Sequence, residues 1–279
     1  MIKITSDSTC DLPAHLLEQH HMATIPLGII KGGGLYRDGV TIRTADIAAH
    51  VDGGGDITTT NAVNIADYET LFRREAPDGG AIIHINIGSG FSSCHQNACL
   101  AAAETGAVYA VDSANLSAGQ GLLALSAAEA AGEGKSAEEI LALLEELKGH
   151  CEMSFVLDRL DYMKKGGRCS AVTALGANLL KLHPCIEVAG GQMKVVKKYR
   201  GSIEKVVADY VRERLAQGRN LDTKRAIIVD TCEDDSLASI ARDILKADGR
   251  FQEIIETKAG CTIFSHCGPN TLGLAFLKE

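Results

Sequence analysis

Apolar positions in this chain alternate between short continuous runs and longer stretches with helical spacing. In the first half, Ile2–Thr5, Met22–Ile30, Ala81–Ile87 and Ala107–Val111 have the compact apolar or β-branched character of strands. Between them, helical periodicity predicts a helix from Pro13 and others near Thr44–Val51, Ile65–Arg73, Ser92–Glu104, Ser117–Ala131 and Ala137–His150. Strands that alternate with helices imply a parallel sheet covered by helices, because each crossover must bury its own apolar stripe.

A second series follows. Ser154–Leu157 reads as a strand, with a helix to Met163 and another over Ala171–Leu180. Cys185–Val188 and Met193–Lys197 form a strand pair joined at Gly190-Gly191, and a long helix covers Ile203–Gln217. Strand Ala226–Val229, helix Ser236–Ala247 and strand Phe251–Glu256 complete the alternation, before Gly260–Phe264, a loop and the apolar end Leu272–Leu277. The helical stretch ends near residue 152, so the chain reads as two α/β domains, 1–152 and 153–279, with parallel or mixed sheets flanked by helices. A cleft between two such units is a favoured ligand position.

Composition narrows the function. With 46% hydrophobic and 23% charged residues, the chain can bury a real core. A formal charge of −8 opposes general affinity for nucleic acid or anionic membrane. The longest apolar stretches, such as Leu122–Ala131, are interrupted by Ser or Glu and fall short of a membrane span. The start lacks the basic and apolar regions of a secretion signal, so a soluble cytoplasmic protein is expected. Its nine cysteines are scattered without a Cys-x-x-Cys pair. That argues for reduced thiols packed as small hydrophobes and against a metal centre.

Candidate chemistry lies in polar loops. Ser6–Pro13 follows the first strand and reads first as a helix-capping cluster. Thr58–Asn61 and Gly88–Ser93 each precede a helix, where hydroxyls and unpaired backbone N–H groups favour an anion; N-capping by Ser92 is the plain alternative. Arg168, in Lys164-Lys165-Gly166-Gly167-Arg168, can offer a bidentate fork to carboxylate or phosphate. His266 stands before a Gly-Pro turn, and no nucleophile elbow, phosphate loop or His-Glu-x-x-His completes a catalytic set. A rival reading takes Gly88-x-Gly90-x-x-Ser93 and Asp112 as a dinucleotide fingerprint in a nucleotide-binding enzyme, although a serine replaces its third glycine.

Taken in order, these segments resemble the DegV family. The resemblance rests on Thr5-Ser6-Asp7-Ser8-Thr9 with Asp11-Leu12-Pro13, Ile25-Pro26-Leu27, Tyr36-Arg37-Asp38-Gly39 and Thr60. It continues through Ser89-Gly90-Phe91-Ser92 with Gln96 and Ala98, Val111-Asp112-Ser113, and Leu160–Arg168. Lys198-Tyr199-Arg200-Gly201 and His266-Cys267-Gly268-Pro269 close it. It implies a carrier, without cofactor or catalytic residues of its own, that holds a long-chain fatty acid with its tail in an interior tunnel. The carboxyl group would be presented to a separate ATP-dependent kinase subunit, which makes the acyl phosphate. By the same resemblance Thr60 and Ser92 bind the carboxylate, with Asn61 and Ser93 beside them and Arg168, His266 and Asn270 around the head group. Where the family carries Thr-Ser-Gln-Pro and Ser-Gly-Thr, this chain has Thr60-Asn61-Ala62-Val63 and Ser92-Ser93-Cys94. An amide and a thiol thus stand where hydroxyls are usual.

Overall fold

The computed structural model describes residues 1–174, 182–217 and 220–278. In chain order the first half comprises β1 (Ile2–Asp7), α1 (Ala14–Gln19), β2 (Ala23–Ile25), β3 (Gly28–Lys31), β4 (Gly34–Arg37), α2 (Thr44–Asp52), β5 (Thr59–Asn61) and α3 (Ile65–Glu75). Then come β6 (Ala81–Asn86), α4 (Cys94–Thr105), β7 (Val108–Asp112), α5 (Ser117–Gly132) and α6 (Ala137–His150). The remainder holds β8 (Cys151–Val156), α7 (Asp161–Gly166), α8 (Ser170–Thr173), β9 (Leu182–Ala189), β10 (Gln192–Arg200) and α9 (Ile203–Gln217). It ends with β11 (Leu221–Asp230), α10 (Ser236–Asp248), β12 (Glu253–Lys258), α11 (Cys261–Cys267) and β13 (Leu272–Lys278).

Strands β2-β1-β6-β7 form a parallel sheet in that order. All strands after residue 150 join one six-stranded sheet, β10-β9-β8-β13-β11-β12, parallel only at β11–β12. The fold is thus α/β with one parallel and one mixed sheet. A small antiparallel sheet, β4-β3-β5, is added. Several boundaries differ from the sequence reading for local reasons. The extended run Met22–Ile30 divides at Pro26 into β2 and β3, since proline cannot donate to a ladder. Thr58–Asn61 contributes β5 rather than a helix entrance. Gly260–Phe264 is helical, within α11. Of the helix expected over Ala171–Leu180, the described part is α8, and residues 175–181 lie outside the described residues.

Helix α5 explains how the sheets share a core. Its sequence is apolar on every face, and twelve of its sixteen residues are buried, as a helix covered on all sides must be. It packs against β1 and β6 and also against β8, β11 and β13. The largest hydrophobic cluster accordingly runs from Ile4, Ile83 and Ile85 through Leu122 and Leu125 to Phe155, Ile186 and Ile227. A second cluster lies under α9 and α10, and a third, including Ile29, Ile47, Tyr162 and Phe264, ties the small sheet to α7 and α11.

Candidate functional site

The parallel strands end in polar loops, and these loops converge. The cluster after β1 does not cap the helix that follows with a side chain, contrary to the sequence expectation; α1 has Pro13 at its N-cap and no side-chain cap bond. Instead Asp7 is fully buried and collects donors: Tyr68 Oη at 2.6 Å, His84 Nε2 at 3.2 Å, Asn86 Nδ2 at 3.2 Å and the Ile87 amide at 2.8 Å. Thr5 Oγ1 meets His84 Nδ1 at 2.8 Å. His84 thus bridges Asp7 and Thr5 through its two ring nitrogens, and the network fixes where β6 ends and the Ile87–Ser93 loop begins.

That loop forms one wall of a cavity of about 240 Å³. Of the seven residues picked out in the sequence, Thr60, Asn61, Ser92, Ser93, Arg168 and His266 all line it. Asn270 does not: its Nδ2 donates to Asp158 Oδ2 at 2.9 Å, and its backbone takes a left-handed turn. The polar groups cluster, and the remaining wall is apolar, made by Leu27, Ile87, Phe91, Leu116, Met193 and Ile263. Those apolar positions escaped sequence reasoning, because they come from five separate segments of the chain, Ile87 and Phe91 alone sharing a loop. One signal was available: Thr262, Ile263, His266 and Cys267 follow helical spacing and share one face of α11.

The head of the cavity is built around His266. Its Nε2 lies 2.9 Å from Thr60 Oγ1, while its buried Nδ1 has no partner among the described residues. An unpartnered N–H is the costlier orphan, so the proton belongs on Nε2, donated to Thr60. Thr60 then keeps its own hydroxyl proton for the cavity. Burial, and secondarily the positive charge of Arg168, push His266 down to about 4, so the ring is neutral at physiological pH. The ring fits only because residue 166 is glycine, where a Cβ would stand 2.1 Å from Nδ1.

The N-cap of α4 is Ser93, without a side-chain cap bond, and not Ser92 as the sequence suggested; Ser92 Oγ, one residue earlier, accepts from the Cys94 amide at 3.2 Å and lies 3.2 Å from Cys94 Sγ. Burial pushes the Cys94 thiol up to about 11, keeping it neutral. Arg168 donates to the carbonyls of Gly166 (2.8 Å) and Phe91 (3.3 Å), two of its five N–H bonds. It lines both this cavity and an adjoining open groove of about 460 Å³. Among the described residues no carboxylate lines the cavity, and the one fixed charge there is the Arg168 cation.

Asp112, the ribose ligand of the dinucleotide reading, is occupied within its own loop. Its oxygens accept from the Ser89 and Ala114 amides, at 3.0 and 2.8 Å, and from Ser89 Oγ. Gly90 meets the opposite half directly, since a Cβ there would stand 2.2 Å from the Gly191 carbonyl. The glycines therefore close the loop against the β9–β10 turn instead of opening it to a pyrophosphate.

Towards the interior the cavity meets a narrow apolar seam of about 10 Å³ that shares Leu116, Ile263 and Cys267 with it. The seam continues between α5, α11 and the six-stranded sheet, past Met153, Phe155 and Val229. Among the described residues no group of three or more His, Cys, Asp or Glu side chains could hold a metal ion, and no helix is long and apolar enough to cross a membrane.

The full length of the chain has recognisable relatives. A family model described as "Uncharacterised protein, DegV family" matches residues 1–279. A DegV domain-containing protein of Clostridium acetobutylicum is 30% identical over 282 residues, spanning 100% of this chain and 99% of the relative. A DegV family protein from Thermus thermophilus, described for its fatty acid binding, has a TM-score of 0.91 at 29% identity, covering 100% of this chain and 99% of that one. A DegV lipid binding protein from Thermotoga maritima gives 0.86 at 25% identity, with 99% and 98% covered. Matched end to end in sequence and in fold, this chain belongs to the DegV family.

Proposed function

We propose that this chain is a lipid carrier that binds one long-chain fatty acid, with the carboxylate among Thr60, Ser92 and Arg168 and the tail in the interior. The observation that carries this reading is the asymmetry of the cavity. Among the described residues, hydroxyls and one guanidinium, without any carboxylate, stand at one end of an otherwise largely apolar wall. Such a site suits an amphiphile with a single negative charge. Asn61 and Ser93 supply further donors at the head, and His266 orients Thr60.

At about 240 Å³ the cavity is below the ~300–1,000 Å³ usual for a ligand pocket, so it accommodates the head and the first part of the tail. The rest of the tail follows the apolar seam beyond Leu116, Ile263 and Cys267, which must widen to receive it. Burial of each methylene contributes ~0.8 kcal/mol, on the order of 10 kcal/mol gross for a long acyl chain before ordering costs. That is enough to offset desolvation of one well-bonded carboxylate.

The chain itself performs no chemistry in this reading and needs no cofactor. Arg168 faces the open groove as well as the cavity, which supports presentation of the carboxyl end to a separate kinase subunit. The two lobes, residues 1–152 and 153–279, act as the jaws around the ligand in a cytoplasmic setting. Mass spectrometry of an organic extract of the purified protein tests the reading, with a stoichiometric fatty acid expected. An empty extract, together with no uptake of added oleate, refutes it.

A further inference from the structure

The helix that carries His266 has no cap of its own. α11 opens at Gly260, which has no side chain to accept from the first turn. A helix of seven residues is also too short to sustain itself. Its orphan N–H groups are satisfied by carboxylates from more than two hundred residues away. Asp38 Oδ1 accepts from the Cys261 amide at 2.7 Å; its Oδ2 accepts from the Thr262 amide at 3.1 Å and from Thr262 Oγ1 at 2.6 Å. Asp11 Oδ1 accepts from the Gly260 amide at 2.8 Å, and its Oδ2 from Ser117 Oγ at 2.6 Å. Thr257 Oγ1 adds a bond to the Asp11 carbonyl at 2.7 Å.

These bonds have a particular placement. Ser117 begins α5, and Gly260 begins α11. The same two helices supply facing walls of the apolar seam, through Leu116 and Ser117 on one side and Ala259, Ile263 and Cys267 on the other. One carboxyl group, Asp11, thus joins the two walls at their ends. Asp38 holds the first turn of the helix whose next turn carries His266. Burial pushes the Asp11 carboxyl up to about 8, so it serves here as a hydrogen-bonding group and not as a fixed charge.

Building on the carrier reading, we propose that Asp11 and Asp38 are positioning residues: together they clasp α11 to the N-terminal half, orienting His266 at the head group and setting the separation of the walls that hold the tail. Neither residue touches the cavity. Both act through the helix.

The test compares Asp38→Asn and, independently, Asp11→Asn with Ile228→Val, a truncation in the separate core under α9 and α10. One readout is the release rate of a fluorescent fatty acid; the other is the His266 ring resonance in ligand-free protein. Asp38→Asn should release ligand at least tenfold faster than wild type and shift the His266 resonance, whereas Ile228→Val should do neither. Asp11→Asn should speed release by a similar factor, and it carries the test if Asp38→Asn does not fold. Carboxylate variants that match Ile228→Val in both readouts overturn the clasp. If the wild type takes up no fatty acid the carrier reading fails, and the His266 resonance alone then decides whether the clasp exists.

Discussion

Acidification should destabilise this protein through His266 in a calculable way. In the folded state the ring is held neutral, with its titration pushed down to about 4 from the ordinary 6.5 by burial and by Arg168. Above pH 6.5 the folded and unfolded chains are both neutral at this position, and it contributes no pH dependence. As pH falls, the unfolded chain takes up a proton that the folded chain refuses, so stability is lost between 6.5 and about 4. At about 1.4 kcal/mol per pH unit the full loss is ~3 kcal/mol, of which ~2 kcal/mol is already expressed at pH 5. Urea denaturation at pH 7.5 and pH 5 measures it, with His266→Gln as reference. Glutamine keeps a donor for Thr60 but cannot titrate, so subtracting its pH dependence cancels every other group. The wild type should lose ~2 kcal/mol more than the variant over this interval. Equal losses would show that the ring is already accessible to protons and would remove the basis for its tautomer and for Thr60's free hydroxyl. Saturating oleate should narrow the difference, because a carboxylate beside the ring favours its protonated form.

Gly166→Ala should disturb the head group alone, since the new methyl would stand 2.1 Å from His266 Nδ1. We expect a cost of ~1–3 kcal/mol in stability and a displaced His266 resonance by NMR; an unchanged spectrum would refute the contact. Thr60→Val removes the hydroxyl that the carrier reading places between His266 and the carboxylate, and fatty-acid affinity by fluorescence titration should fall by ~1–3 kcal/mol, roughly 5- to 150-fold. Met193→Trp fills part of the cavity from a half-buried position, so it should cut binding capacity while leaving Tm within a few degrees of wild type. If the carrier reading holds, Arg168→Ala should spare fatty-acid retention more than presentation to a separate kinase subunit, because its guanidinium sits at the junction of cavity and groove. Retention lost as completely as with Thr60→Val would contradict that division.

Local sequence by itself determined most of the elements. The apolar periodicity of Ala137–His150 and Ile203–Gln217 gave α6 and α9 to the residue, and the Gly190-Gly191 pair marked the turn between β9 and β10. These features are legible because helix stripes, strand alternation and positive-φ turns depend on neighbours within a few residues. The order of short motifs carried the family resemblance for the same reason, and it named six residues that the structure gathers around one cavity.

Only the tertiary structure decided which polar groups meet. Thr60 and His266 are 206 positions apart, yet they share a hydrogen bond at the head of the cavity. Asp11 and Asp38 sit in segments that look like local turns and caps, but their carboxylates cap a helix near the opposite end of the chain. Asn270 is close to His266 in sequence and still turns away to Asp158. The apolar seam likewise has no contiguous signature, because α5, α11 and three strands each contribute one or two residues to it. A capping residue or a buried apolar side chain has the same local pattern whichever element it serves. The pairing is chosen by how the two sheets close around α5, a long-range packing outcome that the periodicity of any one segment does not encode.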